Sequence, residues 1–303
     1  MGILDGKVGI VTGAGRGLGR AEALQLAAEG ASVVVNDLGV TVAGESHEEG
    51  PAREVAEEIL AAGGKAVADF SDCADWAGAE GLIQTAIDMF GRLDILVNNA
   101  GILRDRMSFN MTEEEWDAVI RVHLKGHFAT SHFAAAHWRA KRKQGEEVSG
   151  RIINTSSEAG LFGNPGQVNY AAAKAGIAAM TLVMARELAP VGVTVNAISP
   201  RASTRMVGGT VGGTSEPDPT GFDSMAPENV APLVAYLASD ASVEITGQLF
   251  LIHGGNLQLM QGWRSATKLE KNSAWTLDDI PGAIEELFKN QNKGPEELRW
   301  GAG

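Results

Sequence analysis

A single cysteine, Cys73, stands in 303 residues, which excludes an intrachain disulfide and a thiolate zinc cage and suits a reducing compartment. Cations are scarce as well: 25 Lys and Arg against 38 Asp and Glu give a formal charge of -13. Nucleic-acid surfaces rest on clustered Lys and Arg facing phosphates. The only basic run, Arg139 to Lys143, is short and followed by Glu146 and Glu147, so it reads as a solvated helix end. No apolar stretch is expected to approach the ~20 residues of a membrane span. The first strand begins almost at Met1, leaving no room for a signal peptide. The expectation is a soluble, cytoplasmic protein with neither nucleic acid nor membrane as partner. No internal repeat or low-complexity tract is visible.

What is present is a 44% hydrophobic chain, enough for a sizeable core. Short β-branched runs at 7–12, 31–37, 65–70, 93–99, 151–156, 193–199 and 248–252 alternate with helix-like stretches. Strands apolar on both faces and separated by helices imply a parallel sheet covered on both sides. The expected fold is therefore α/β, a doubly wound Rossmann-type sheet of about seven strands over residues 1–256. Thr112 and Glu115 form a capping box at the head of a long helix reaching about Trp138. In it Trp116, Ile120, Leu124 and Phe128 recur at helical spacing, which predicts a buried face. A second helix runs from about Val168 to Leu188 and is stopped by Pro190 and Gly192. Residues 203–226 are rich in Gly and Pro and read as a lid over a ligand crevice. The extension 257–303, with Trp263, Trp275 and Trp300, has too many aromatics for a disordered tail and is expected to dock on its own or a neighbouring subunit.

The turn TGAGRGLG, Thr12 to Gly19, follows the first strand and opens a helix. Bare backbone N–H groups and a positive helix end can there meet a pyrophosphate. Gly13 permits the tight turn, Gly17 the close approach and Gly19 the packing of helix on strand; Arg16 and Leu18 lie in the same turn. Asp37 closes the second strand, 24 residues beyond Gly13, where a carboxylate can accept from the adenosine ribose hydroxyls and would repel a ribose phosphate. NAD is thus favoured over NADP, with Arg16 as the one nearby cation arguing the other way.

Tyr170 and Lys174 stand four residues apart in NYAAAK, on one face of a helix, thirteen residues after Ser157. A phenol near pKa 10 is a poor base at neutral pH, and an ammonium one turn away lowers it. Ser157 supplies a hydroxyl to fix the reacting oxygen. Each pair taken alone is also an ordinary helical neighbour pair or a strand-end cap.

Together, in this order, Thr12 to Gly19, Asn98 to Gly101, Ser157, and Tyr170 with Lys174 resemble the short-chain dehydrogenase/reductase family over about residues 5 to 256. The resemblance implies Ser157, Tyr170 and Lys174 as catalytic residues, with Tyr170 and Lys174 also meeting the cofactor. It places Asp72 against the adenine, Asn99, Ala100 and Gly101 beside the cofactor ribose, and Pro200 in the cofactor site. Stretches including NNAGILRDR at 98–106, RVHLKG at 121–126 and GNPGQVNYAAAK at 163–174 look like the (3R)-hydroxyacyl-CoA dehydrogenase portions of peroxisomal multifunctional enzymes of type 2. That implies NAD-dependent oxidation of an acyl-CoA substrate, with a hydroxysteroid or another bulky alcohol as the rival substrate. A catalytically silent NAD-sensing or structural subunit is the rival of another class. Arg201 or Arg205 would contact CoA phosphates. A homodimer or homotetramer is implied through the two long helices. The chain departs from the family in carrying His123 where most members have an Asn in the proton relay, leaving open whether His123 takes that part. It also has Arg201 where many have Gly. His123 and His127 share a helix face without a neighbouring carboxylate or thiolate ligand, so no metal is expected.

Overall fold

Strands β1 (Val8–Thr12) and β4 (Ile95–Asn98) are buried at every residue, and β2 (Ser32–Asn36) at all but Ser32. Such strands need cover on both faces, and they have it. The structure is a computed structural model, and it describes residues 2–39, 50–203, 222–291 and 294. Among the described residues one sheet runs in the order β3-β2-β1-β4-β5-β6-β7-β8, with β3 (Lys65–Asp69), β5 (Gly150–Thr155), β6 (Val193–Pro200), β7 (Leu249–His253) and β8 (Asn256–Met260). The first seven strands are parallel. Strand β8 turns back antiparallel on β7, pairing Leu249 with Met260 and His253 with Asn256. The expected doubly wound sheet of about seven strands is present with one strand more: NLQLM is an exposed edge strand with no buried face, so it carries no core-like signal.

Helices α1 (Gly17–Ala28), α2 (Gly50–Ala61) and α8 (Ala231–Ala238) cover one face, where Ala23, Leu26, Ile59 and Val234 meet Val11, Val97, Ile153 and Ile198. Helices α3 (Trp76–Phe90), α5 (Gly126–Lys143) and α7 (Val168–Leu188) cover the other, where Leu82, Trp138, Met184 and Leu188 meet Ile10, Leu96, Ile152 and Val195. Each such aliphatic side chain, taken out of water, contributes roughly 1.5–3 kcal/mol before chain entropy is counted. Between the layers a polar chain fixes α5 and α7 on the sheet. Asn98 donates to Ser131 Oγ and Asn154 Oδ1, both at 2.9 Å, Thr130 donates to Asn98 at 2.7 Å, and Asn154 donates to Thr181 at 3.0 Å.

The capping box forms: Thr112 Oγ1 accepts from the Glu115 N–H at 3.2 Å and Glu115 accepts from the Thr112 N–H at 3.0 Å. The long helix behind it is not one regular helix. It runs as α4 (Glu113–Ile120), a π-helical turn (Arg121–Lys125), and then α5. The wider turn breaks the 3.6-residue stripe. Trp116 and Phe128 are exposed and Ile120 and Leu124 only partly covered, the buried side being that of Val119, His123, His127 and Thr130, so the predicted buried face is corrected.

Helix Val168–Val191 is long and apolar enough to cross a membrane by length and composition, contrary to the expectation that no stretch approaches a span. Ile177, Met184, Ala185 and Leu188 lie in the core, and 39% of its apolar window is buried. A short helix, α6 (Glu158–Phe162), precedes it.

The chain divides into Met1–Met260 and Gln261–Gly303. Within the second unit, α9 (Ile280–Leu287) is prefaced by Asp279, which accepts from the Thr276 N–H at 2.7 Å and pairs with Lys271. Of the segment read as a lid, residues 204–221 lie outside the described residues, as do Arg205 and Trp300. Ser203 N–H donates to Met225 O at 2.6 Å.

Candidate active site

The strand order reverses between β1 and β4, and the carboxyl ends of these strands open the crevice in which such sheets hold ligands. The glycine turn leaves β1 there. Gly13 has φ +64°, and a Cβ on it would lie 2.8 Å from Ala100 Cα; a Cβ on Gly19 would lie 2.3 Å from Gly13 O. Only bare backbone fits so close an approach. Gly17 also has positive φ, and Leu18 packs partly into the core. Arg16 is the N-cap of α1 in extended backbone and gives no side-chain cap, so the first N–H groups of the helix are not claimed by it. This cradle, with a helix N-terminus at its mouth and no room for Cβ atoms, fits a dinucleotide pyrophosphate.

Asp37 follows β2 directly. Its carboxylate accepts from the Gly15 N–H at 2.8 Å and the Gly39 N–H at 2.7 Å, so it braces the turn from the side. Asp72 caps Ala74 N–H at 2.8 Å and pairs with Arg121 of the π turn. Asn99 and Ala100 are latched onto β1: both N–H groups donate to Thr12 Oγ1, at 3.0 and 3.1 Å, and the Asn99 amide donates to Thr12 O and Gly13 O at 3.1 and 3.2 Å. Gly101 lies against His123, and Pro200 ends β6. The structure thus gathers the residues expected to hold a cofactor around the ends of β1, β2, β3, β4 and β6.

Ser157 follows β5 as the N-cap of α6, its Oγ accepting from Ala159 N–H at 3.3 Å. Its hydroxyl bears on the Tyr170 phenol, acting to lower it. Lys174 is 2% exposed, and its Nζ donates to Thr155 O at 2.6 Å and stands 5.5 Å from the centre of the Tyr170 ring. Ser157, Tyr170 and Lys174 therefore converge at the β5 end.

Their electrostatics differ from the expectation that Lys174 lowers the phenol. Tyr170 is raised from its ordinary value, by burial first and by the charge of Asp105, with the Ser157 hydrogen bond opposing. Burial pushes Lys174 itself down to about 7, opposed by Glu22. A lysine so desolvated is only partly charged at neutral pH, and it cannot outweigh the desolvation of the phenol.

Three participants are not singled out by the sequence pattern. Thr12 is the latch described above; its place as the first letter of the turn motif is the available signal. Arg121 pairs with Asp72 across 49 residues, and no local pattern announces that. Asp105 accepts from Gln167 at 2.8 Å and acts on Tyr170. His123 is buried, its Nε2 within reach of Ile102 N (3.1 Å) and Ile102 O (2.8 Å), and its ring stands edge-on to Tyr170 at 5.1 Å. Burial and the Lys174 charge hold it well below the ordinary histidine value. Arg201, expected on CoA phosphates, clamps Glu158 with bonds of 2.9 and 2.7 Å beside Ser157.

A doubly wound sheet with a phosphate cradle at its switch point and a Ser, Tyr and Lys beside it defines a dinucleotide-dependent oxidoreductase. The short chain dehydrogenase family model matches residues 7–209, and the chain belongs to that family. It is an oxidoreductase acting on CH–OH groups and using a nicotinamide dinucleotide. The chain is 46% identical to the hydroxyacyl-CoA dehydrogenase ChsB1 of Mycobacterium tuberculosis, over 97% of this chain and 92% of that protein. It is 44% identical to the peroxisomal multifunctional enzyme type 2 of Drosophila melanogaster over 88% of this chain, but spans only 40% of that longer protein. A crystal structure of a short chain dehydrogenase from Mycobacterium avium superposes with a TM-score of 0.87 at 52% identity, covering 99% of this chain and 100% of that one.

Proposed function

We propose that the protein is an NAD-dependent 3-hydroxyacyl-CoA dehydrogenase in which Tyr170 exchanges the hydroxyl proton and Ser157 orients the reacting oxygen. The observation that carries the reading is the convergence of Ser157, Tyr170 and Lys174 at the β5 end beside the cradle. The acyl-CoA substrate is supported by the similarity to ChsB1 and to the multifunctional enzyme over most of this chain. NAD, rather than its phosphorylated form, is supported by Asp37: a carboxylate held at the cradle repels a ribose phosphate.

When bound, the nicotinamide supplies the acceptor for the hydride leaving the carbinol carbon. The chain's own residues do the rest. Ser157 donates a hydrogen bond to the alcohol oxygen, and the Tyr170 oxygen, deprotonated in the reactive form, takes the hydroxyl proton as the carbonyl forms. The Lys174 ammonium stabilises that phenolate. In the reducing direction Tyr170 donates the proton. His123, neutral and edge-on, holds the Tyr170 ring in place.

The reading includes a homo-oligomer in a cytoplasmic setting. Support for association is the exposed aromatic patch of Trp76, Phe128 and His132, whose rings lie 4.9 to 6.1 Å apart. The decisive assay follows reduced nicotinamide by absorbance, with NAD or NADP and a panel of 3-hydroxyacyl-CoAs beside hydroxysteroids. Turnover of acyl-CoAs with NAD is expected. Turnover of steroids alone would overturn the substrate, and preference for NADP would overturn the role of Asp37.

A further inference from the structure

Strand β5 stops at Thr155, and the next residue is still tied to its neighbours: Ser156 N–H donates to Ile198 O of β6 at 2.7 Å, and Ser156 Oγ donates to Lys174 O at 2.9 Å. Ser157 follows in extended backbone with φ -163°, and Glu158 opens α6, a helix of only five residues. A helix that short does not hold its shape unaided in water. Its placement comes from its neighbours. On the α7 side a Cβ on Gly160 would lie 2.6 Å from Ala175 N, so the two backbones meet there. On the other side stands Arg201, 43 residues further on, whose Nε and Nη2 donate to the two oxygens of Glu158 at 2.9 and 2.7 Å.

Two charge-assisted bonds from one planar guanidinium fix direction as well as distance. The side chains of Glu158 and Arg201 are 11% and 21% exposed, so water competes little for either. Arg201 is itself seated on the sheet. Its backbone N–H donates to Ile252 O of β7 at 3.0 Å, and Pro200 before it pairs with Ile252 in the ladder. The turn that carries Ser157 is therefore held between α7, which bears Tyr170 and Lys174, and the end of β6, where Pro200 is expected in the cofactor site.

We propose that Glu158 and Arg201 are positioning residues for the dehydrogenase reaction: their clamp sets where the Ser157 hydroxyl stands between Tyr170 and the end of β6. The inference rests on the role given to Ser157 above. It assigns the Arg201 guanidinium to the turn of the serine, where the sequence alone expects it on a CoA phosphate. Ser157 Oγ accepts from Ala159 N–H at 3.3 Å, and Ser157 O accepts from Gly160 N–H at 2.9 Å. Both bonds lie within the α6 turn and travel with it, so they do not fix it to the sheet. A reacting group displaced by about 1 Å can lose about 100-fold in rate, which is why the seating of a short helix matters.

The test compares wild type with Arg201→Met, Arg201→Lys, Glu158→Gln and the double variant Glu158→Gln with Arg201→Met, each alone and combined with Ser157→Ala. The full chain is used, in single turnovers of the 3-hydroxyacyl-CoA that the panel above shows to react fastest. Arg201→Met and Glu158→Gln should each lower the rate by about 10- to 100-fold, and the double variant should lose little more than either. Arg201→Lys keeps the charge without the planar fork and should recover only part of the loss. With Ser157→Ala present, the same changes should cost less than about twofold, because the group they position is gone. A merely structural role would cost the same factor with and without Ser157 and would overturn the proposal. The same acyl group on pantetheine, which carries no nucleotide, tests the other use of Arg201. An unchanged kcat with KM raised for the CoA thioester alone would put the guanidinium on a CoA phosphate and overturn the clamp.

Amide hydrogen exchange in the protein without dinucleotide gives a readout independent of turnover. Residues 157–163 should exchange about tenfold faster or more in Arg201→Met while β5 and β6 keep their wild-type rates, and unchanged exchange would count against the clamp. Were the wild type to oxidise no alcohol, the dehydrogenase reading would fall, and the exchange comparison alone would then uphold or overturn the hold of Arg201 on α6.

Discussion

The Lys174 ammonium is anchored on Thr155 O at 2.6 Å and stands 5.5 Å from the centre of the Tyr170 ring. The two side chains leave the same face of α7 one turn apart, and with its hydrogen bond given to the backbone of β5 the ammonium acts on the phenol through its charge alone. The Tyr170 oxygen is left to Ser157 and to whatever alcohol enters the site.

Tyr170→Phe keeps the ring and its edge contact with His123 while removing that oxygen. We expect kcat to fall by about 10³-fold or more, in the range general acid–base catalysis supplies. Dinucleotide affinity, measured by fluorescence titration, should change by less than about threefold. Retention of the wild-type rate would remove Tyr170 from the proton transfer.

Asp37→Ala deletes the brace on Gly15 N–H and Gly39 N–H. Hydrogen bonds to a charged group contribute roughly 1.5–3 kcal/mol, so NAD affinity should drop by about 10-fold or more and the preference over NADP should narrow. Parallel titrations with the two dinucleotides check it; an unchanged ratio would refute the assignment.

A Cβ on Gly101 would lie 2.3 Å from His123 Cε1, and the ring is wedged between Ile102 and Tyr170. Gly101→Ala should cost about 1–3 kcal/mol in denaturant unfolding, the usual range for overpacking. Combining it with His123→Ala should recover part of that loss relative to the two single changes added together.

Phe128 is 44% exposed on α5, beside Trp76. Phe128→Glu should shift the protein to a smaller species in sedimentation velocity while leaving its helical circular dichroism intact. A variant of unchanged mass would place any subunit contact elsewhere.

Burial pushes the Cys73 thiol up to about 12, with Asp72 adding to the effect. The reactive thiolate is then very sparse at neutral pH. Native protein should react with an aromatic disulfide reagent at least about 100-fold more slowly than unfolded protein, and the rate should rise along the unfolding transition.

Features written in short stretches of chain are legible in the sequence alone. The glycine turn, the capping box at Thr112, the boundaries of α7 and the shared face of Tyr170 and Lys174 all follow from neighbours within a few residues, where backbone geometry dictates the outcome. The central parallel strands β1, β4, β5 and β6 are readable because a strand buried on both faces is largely apolar.

Tertiary structure decided the rest, since it depends on contacts between residues far apart in sequence. Strand β8 is recognisable only from its partner β7, because its own side chains are exposed. The π turn at Arg121–Lys125 and the exposure of Trp116 and Phe128 on either side of it depend on how the helix packs, which the local sequence does not announce. Glu22 is in sequence one more acidic helix residue; only the packing of α1 on the sheet buries it and raises its carboxyl to about 8. Composition and spacing determined which chemical groups this protein has, whereas the fold set the dielectric surroundings of each, and with them which groups carry charge at neutral pH.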